Sequence, residues 1–179
     1  LNSDELLLLS LAKEDLSKQN LYFDVSPSSN IADIRTKCRQ LKQAGKLDFI
    51  VIDYLQLIES DSSLARASQQ EKISKISRSL KLMARELEVP VLALSQLSRA
   101  VEQRDEKRPI MADLRDSGSI EQDADIVMFL YRDDYYNHSS ERKGEADLII
   151  SKNRSGSTHE GLPFIFTPEH QRFKEKKDN

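Results

Sequence analysis

Two short apolar runs separated by a helical stripe limit the fold more than any other feature of this chain. FIVID, residues 49–53, is apolar at successive positions until Asp53 and reads as a strand buried on both faces, the signature of a central parallel strand. Ile73, Ile76, Leu80, Met83 and Leu87 then recur at helical spacing, and Pro90 opens a second buried run, VLALS. Strand, helix, strand in this order calls for a right-handed crossover, so the fold class is α/β, a central mostly parallel sheet with helices on both faces.

The flanks fit that frame. Leu6, Leu9, Ala12 and Leu16 predict an amphipathic helix over residues 4–18 with Ser3-Asp4 as its cap, and LYFDV, residues 21–25, reads as a short strand. Asn30 caps a second helix with Ile31, Ile34, Cys38, Leu41 and Ala44 on one face, and Gly45 closes it, so Cys38 is a packing residue. Residues 97–118 carry five basic and five acidic side chains without an apolar period and read as a long loop, or a loop with a short helix. DIVMFLYR, ADLIISK and LPFIF follow as strands too closely spaced for crossover helices, which predicts antiparallel pairs at the C-terminal edge of the sheet. RDDYYNHSSERKGE reads as an exposed hairpin loop, and residues 168–179 as a fraying, flexible tail.

Composition removes whole classes of function. At 179 residues the chain reads as one domain, and with 38% hydrophobic and 32% charged residues it has the profile of a soluble globular protein. No apolar run approaches the roughly 20 residues of a membrane-spanning helix. The first residues lack a basic n-region and small-residue cleavage site, and one cysteine cannot form an internal disulfide, so a cytoplasmic location is expected. A net charge of -3 gives no overall basic field, and any DNA contact depends on local charge placement.

A few polar residues stand where chemistry is possible. Asp53 ends a buried strand, at the carboxyl edge where parallel sheets bind ligands; taken alone, an aspartate there is more often a turn or capping residue. Gln96 follows the next strand in the same way and fits either a solvated loop start or a group that senses a terminal phosphate. Lys152 and Arg154 in SKNRSGST lie two apart at a strand end, on one side of extended chain, suited to a triphosphate or to a surface turn. His138, His159 and His170 share no ligand-like spacing with Cys38 or with carboxylate pairs, and no G-x-S-x-G elbow is present.

In order, DFIVIDYLQLI, VPVLALSQLSRAVEQR, RPIMADLRDSGSIEQDADIVMFLYR and ISKNRSGST resemble the signature of bacterial replicative DNA helicases of the DnaB type, over roughly residues 21–167. The resemblance implies a RecA-like motor domain that assembles into a homo-hexamer ring on single-stranded DNA and hydrolyses ATP with Mg2+ between neighbouring subunits. It also implies primase and a helicase loader as partners. It makes Asp53 the Walker B aspartate, holding Mg2+ through water, and Gln96 the γ-phosphate sensor. Lys152 and Arg154 would reach a neighbour's ATP, Arg154 as the arginine finger, while Arg115, Asp116 and Gly118 in DLRDSG would follow the DNA backbone inside the ring.

Departures from the family pattern shape the expectation. No G-x-x-x-x-G-K-[ST] loop occurs, because Gly45-Lys46 is followed by Leu47. The chain therefore reads as the C-terminal part of a helicase motor domain, inactive alone for want of its phosphate cradle. His159 stands where the family commonly has Gly after the finger-loop Thr. Two other readings share some of these features: a different RecA-like ATPase, and a non-catalytic assembly module without a phosphate loop.

Overall fold

A computed structural model describes residues 2–26, 29–59 and 67–176, with the side chains of residues 115–118 outside that description. Helix α1, Ser3–Ser17, starts one residue before the predicted cap: Asn2 and Glu5 form a capping box, each side chain accepting the other's backbone N–H at 2.8 Å. No residue of α1 is buried, and Leu6, Leu7, Leu8, Leu9 and Leu11 are between 50% and 66% exposed. The expected strand at LYFDV does not form. A strand exists only as part of a ladder, and this segment has no paired neighbour among the described residues, leaving Phe23 and Val25 exposed.

Helix α2, Ile31–Gln43, is capped by the Asn30 side chain, which accepts N–H groups from Ala32 and Asp33 at 2.9 and 3.0 Å. Gly45 follows the helix at φ +67°, a conformation that penalises a Cβ, and Cys38 is buried as expected. Strand β1, Ile50–Ile52, runs parallel to β2, Val91–Ala93, with Ile52 opposite Ala93. Helix α3, Gln69–Leu87, makes the crossover between them, held at its start by a Ser68–Glu71 capping box. All five stripe residues read from the sequence are buried, and Met83 is fully enclosed. They pack with Cys38, Ile50, Ile52 and Leu55 into the main core.

Only one face of β1 is buried here. Ile50 and Ile52 point into the core, but Val51 is 55% exposed, so the expected burial on both faces is corrected. The period of two in a strand sends Val51 to the side that neither α2 nor α3 covers.

Residues 97–123 are more structured than a plain loop. They form two 3-10 segments, Arg99–Gln103 and Met111–Ser117, and helix α4, Gly118–Asp123. Beyond it, β3 (Ile126–Tyr131), β4 (Glu145–Asn153), β5 (His159–Thr167) and β6 (Arg172–Glu175) form an antiparallel sheet in chain order. Short helix α5, Asp133–Tyr136, lies in the β3–β4 connection. Val127, Phe129 and Ile149 bury a second core with Leu114, and Ile120 on α4 packs against both cores.

The C-terminal segment read as a fraying tail carries β6. Its ladder with β5 brings Phe173 to 4.7 Å from Phe166, ring centre to ring centre, and the Lys176 ammonium donates to Glu145 at 2.6 Å. A hydrophobic pair and a terminal ion pair supply the ordering that the polar composition of HQRFKEKK did not suggest.

Candidate functional site

Asp53 and Gln96 stand beyond the carboxyl ends of adjacent parallel strands. Leu94 N–H donates to the Ile52 carbonyl at 2.9 Å, and Leu55 N–H to the Leu94 carbonyl at 2.9 Å, so the two strands stay registered as they enter their loops. Asp53 is exposed, and its carboxylate takes no hydrogen bond or ion pair among the described residues. A lone free carboxylate suits Mg2+, which keeps several waters and binds through one or two carboxylates plus substrate phosphates. A resident metal needs more ligands, and no cluster of three or more His, Cys, Asp or Glu is found among the described residues.

Gln56, three residues beyond Asp53, links the two loops. Its Nε2 donates to Ser95 Oγ at 3.1 Å, and its Oε1 accepts the Gln96 N–H at 3.4 Å. The sequence reading passed over Gln56. Its signal was its place in DYLQLI, where an amide can both donate and accept toward a neighbouring loop.

Lys152 is the penultimate residue of β4 and Arg154 begins the β4–β5 turn, and both meet the same stretch of chain. Lys152 Nζ donates to the Glu121 carbonyl at 2.6 Å, Arg154 N–H donates to the Asp125 carbonyl at 2.9 Å, and Arg154 Nη1 lies 3.7 Å from Asp125 Oδ1. Arg154 remains 73% exposed, an extended cation with little to hold it. Asn153 shapes the turn: it accepts from Ser155 N–H and donates to the Ser157 carbonyl, both at 3.2 Å. His159 Nε2 sits 3.3 Å from Ser157 Oγ, so the turn closes with His at that position. No hydrogen bond or ion pair joins Lys152 or Arg154 to Asp53 or Gln96 among the described residues.

The side chains of Arg115 and Asp116 lie outside the described residues; their backbone and that of Gly118 run through the second 3-10 segment into α4. The approach to them is well anchored. Buried Asp113 accepts Arg104 Nη2 and Ile110 N–H, each at 2.8 Å. Buried Asp147 on β4 accepts Arg142 Nη2 at 2.6 Å and Arg142 Nη1 and Arg108 Nη1 at 3.0 Å. Arg142, then Arg108, hold the Asp147 carboxyl below the usual carboxylate range, although burial pushes it up. Arg108 also stacks over the Tyr131 ring at 5.4 Å and donates to the Glu160 carbonyl. These anchors were not read from sequence, because the even mix of charges in residues 97–118 does not say which pairs form.

Proteins of known structure share this arrangement of strands and helices. A solved structure of an ATPase domain superposes with a TM-score of 0.92 at 45% identity, covering 99% of this chain and 62% of that one. Another, a DnaB-like replicative helicase described with its interactions with primase, gives 0.91 at 45% identity, covering 99% and 42%. A RadB recombinase at 14% identity and TM-score 0.52 shares the fold alone. The replicative DNA helicase DnaB of Geobacillus stearothermophilus is 56% identical over 165 residues, and DnaC of Bacillus subtilis 52%; each match covers 92% of this chain. The chain spans 36% of the length of these two relatives. The model of the DnaB-like helicase C-terminal domain matches residues 1–175, and the chain belongs to that family.

Proposed function

We propose that this chain is the C-terminal part of the ATP-driven motor of a replicative DNA helicase, one that moves along single-stranded DNA and unwinds the duplex at the fork. The observation that carries the reading is the division of its polar groups. A free carboxylate and a glutamine stand beyond two parallel strands, while Lys152 near the end of β4 and Arg154 in the turn after it make no hydrogen bond or ion pair with them among the described residues. A site divided this way is completed between neighbours in a ring, and we take that ring to be a homo-hexamer. Primase and a helicase loader are its proposed partners and the cytoplasm its proposed location; no described helix is long and apolar enough to cross a membrane.

In this mechanism the Asp53 edge would take ATP together with Mg2+, which when bound would neutralise the phosphates. Asp53 would be the residue that holds the cation, through water, and the Gln96 amide would meet the terminal phosphate. Arg154 of the adjacent subunit forks onto phosphate oxygens while Lys152 acts as a point charge. Arg115, Asp116 and Gly118 face the DNA: Arg115 supplies charge, and a glycine N–H approaches a phosphate closely. Asp116 cannot attract a phosphate by its charge, and its proposed part is a brace for Arg115 or a contact within the ring. Residues 1–179 contain no G-x-x-x-x-G-K-[ST] loop, so the preorganised cradle for phosphoryl transfer is missing and the chain alone turns over no ATP.

The test uses a protein that joins this chain to such a loop. Arg154→Ala leaves ATP binding nearly intact and lowers hydrolysis by ~10³ or more, the scale of arginine fingers elsewhere. Rings mixed from Asp53→Ala and Arg154→Ala subunits regain turnover where two intact halves meet. If mixing never restores activity and Arg154→Ala abolishes ATP binding, the division between neighbours is wrong. If the joined protein neither binds nor hydrolyses ATP, the non-catalytic module replaces the motor.

A further inference from the structure

The segment 121–125 is a junction of three parts of the fold. It follows within three residues of 115–118, the stretch assigned to DNA. Toward α3 it is fastened by two carboxylates: Asp123 Oδ2 accepts Ser77 Oγ at 3.0 Å with Arg78 at 3.4 Å from its Oδ1, and Asp125 Oδ2 accepts the Lys81 ammonium. Ser77, Arg78 and Lys81 are spaced to share one side of that helix. Toward β4 and the turn after it the same segment takes both cations, Lys152 on the Glu121 carbonyl and Arg154 on Asp125. The two proposed contacts with a neighbour's nucleotide therefore rest on the piece of chain that directly follows the proposed DNA contacts.

We propose that Asp125 is a positioning residue for Arg154, fixing where its guanidinium emerges and coupling its engagement to the 115–118 stretch. The two attachments differ in kind. The backbone bond from Arg154 N–H to the Asp125 carbonyl, 2.9 Å, sets the origin of the side chain. The carboxylate contact, 3.7 Å and exposed, narrows the range of the guanidinium without holding it. Lys81 keeps hold of the other carboxylate oxygen, so when Arg154 leaves for a phosphate, Asp125 is not left without a cation. The same Lys81 contact is the main cause of a lowered Asp125 pKa, consistent with a carboxylate that stays charged throughout. Preorganisation of this kind acts on the reacting geometry, so it alters the rate and spares binding.

The proposal rests on the assignment of Arg154 to a neighbour's nucleotide, and its test separates the two. In the ring-forming protein that joins this chain to a phosphate loop, ATP hydrolysis with and without single-stranded DNA is measured for Asp125→Asn, Arg154→Ala and the double variant. Asp125→Asn lowers kcat about tenfold, leaves KM for ATP within twofold and reduces the stimulation by DNA. In the Arg154→Ala background it changes nothing further, because it acts through that side chain. Lys81→Met, which leaves Asp125 in place but loosens it, lowers kcat in the same direction and is likewise silent beside Arg154→Ala. An Asp125→Asn effect that persists undiminished in the Arg154→Ala background, or an Asp125→Asn enzyme with wild-type kcat and DNA stimulation, overturns the proposal. Normal hydrolysis by Arg154→Ala itself overturns instead the assignment beneath it.

Discussion

Gln56 and Gln96 are joined amide to backbone: Gln96 N–H donates to Gln56 Oε1 at 3.4 Å, and Gln56 Nε2 lies 3.5 Å from the Gln96 carbonyl oxygen. Both contacts are long, so the pair sets a direction more than it adds stability. If Gln96 meets the terminal phosphate, loss of its backbone support misplaces the amide without removing it. Gln56→Ala in the ATP-hydrolysing protein is expected to lower kcat about tenfold with KM for ATP within twofold, the pattern of a lost orientation. Steady-state kinetics decide it, and a wild-type kcat would show that Gln96 needs no such support.

Asp147 is the buried centre of an ion network, with side-chain exposure of 6% against 30% for Arg108 and 43% for Arg142. Asp147→Asn leaves two guanidiniums facing an amide and is expected to destabilise the chain by about 1–3 kcal/mol. Because the folded carboxyl titrates below its ordinary value, its contribution is complete above the unfolded pKa and fades as pH falls through the folded one. Thermal melts should therefore separate wild type from Asp147→Asn by a constant gap at neutral pH that closes in acid, below the unfolded carboxylate pKa of roughly 4. A gap that widens in acid contradicts the network.

How much of this was legible in the sequence follows from the range over which each feature is decided. The α3 stripe and the Asn30 cap depend on neighbours two to four residues away, and both stand in the structure as read. LYFDV and Val51 depend on what lies across from them, which periodicity does not report; one failed to pair and the other stayed exposed. The ends of β1 and β2 were visible because parallel strands put Asp53 and Gln96 at one edge. Arg108 and Asp147 meet across 39 residues, and a composition of balanced charges gives many such pairings equal standing. Likewise β6 was hidden by its charges, since the ladder with β5 and one Phe–Phe contact outweigh a polar local composition.

Gly156 is a close-packed point of the turn that presents Arg154. A Cβ there would lie 2.7 Å from Asn153 Nδ2, closer than real contacts allow. Asn153 cannot simply rotate away, because its amide already spans the turn to Ser155 and Ser157. Gly156→Ala should open that turn and lower hydrolysis several-fold with ATP affinity retained, and Asn153→Ala should do the same. Since both variants break one arrangement, combining them should cost little more than either alone. Fully additive losses in the double variant would show that the two residues act separately.

Arg115 tests the proposal that a chain of net charge -3 meets DNA through the 115–118 stretch. Affinity for a polyanion comes from counterions released by local phosphate contacts, and no general basic field is available here. The nearest upstream acid, Asp113, is buried and paired with Arg104 at 2.8 Å. A single subunit should bind single strands weakly, while a ring presents several copies of the 115–118 stretch to one strand and gains through effective concentration. Arg115→Ala removes one cationic contact per subunit, and for a single strand each lost contact lowers the log–log salt slope by roughly 0.7. Affinity should fall about equally for every base sequence, because phosphate contacts carry no base information. Titrations of wild-type and Arg115→Ala rings at several salt concentrations measure both effects, and an unchanged affinity and slope would take this stretch out of the DNA path.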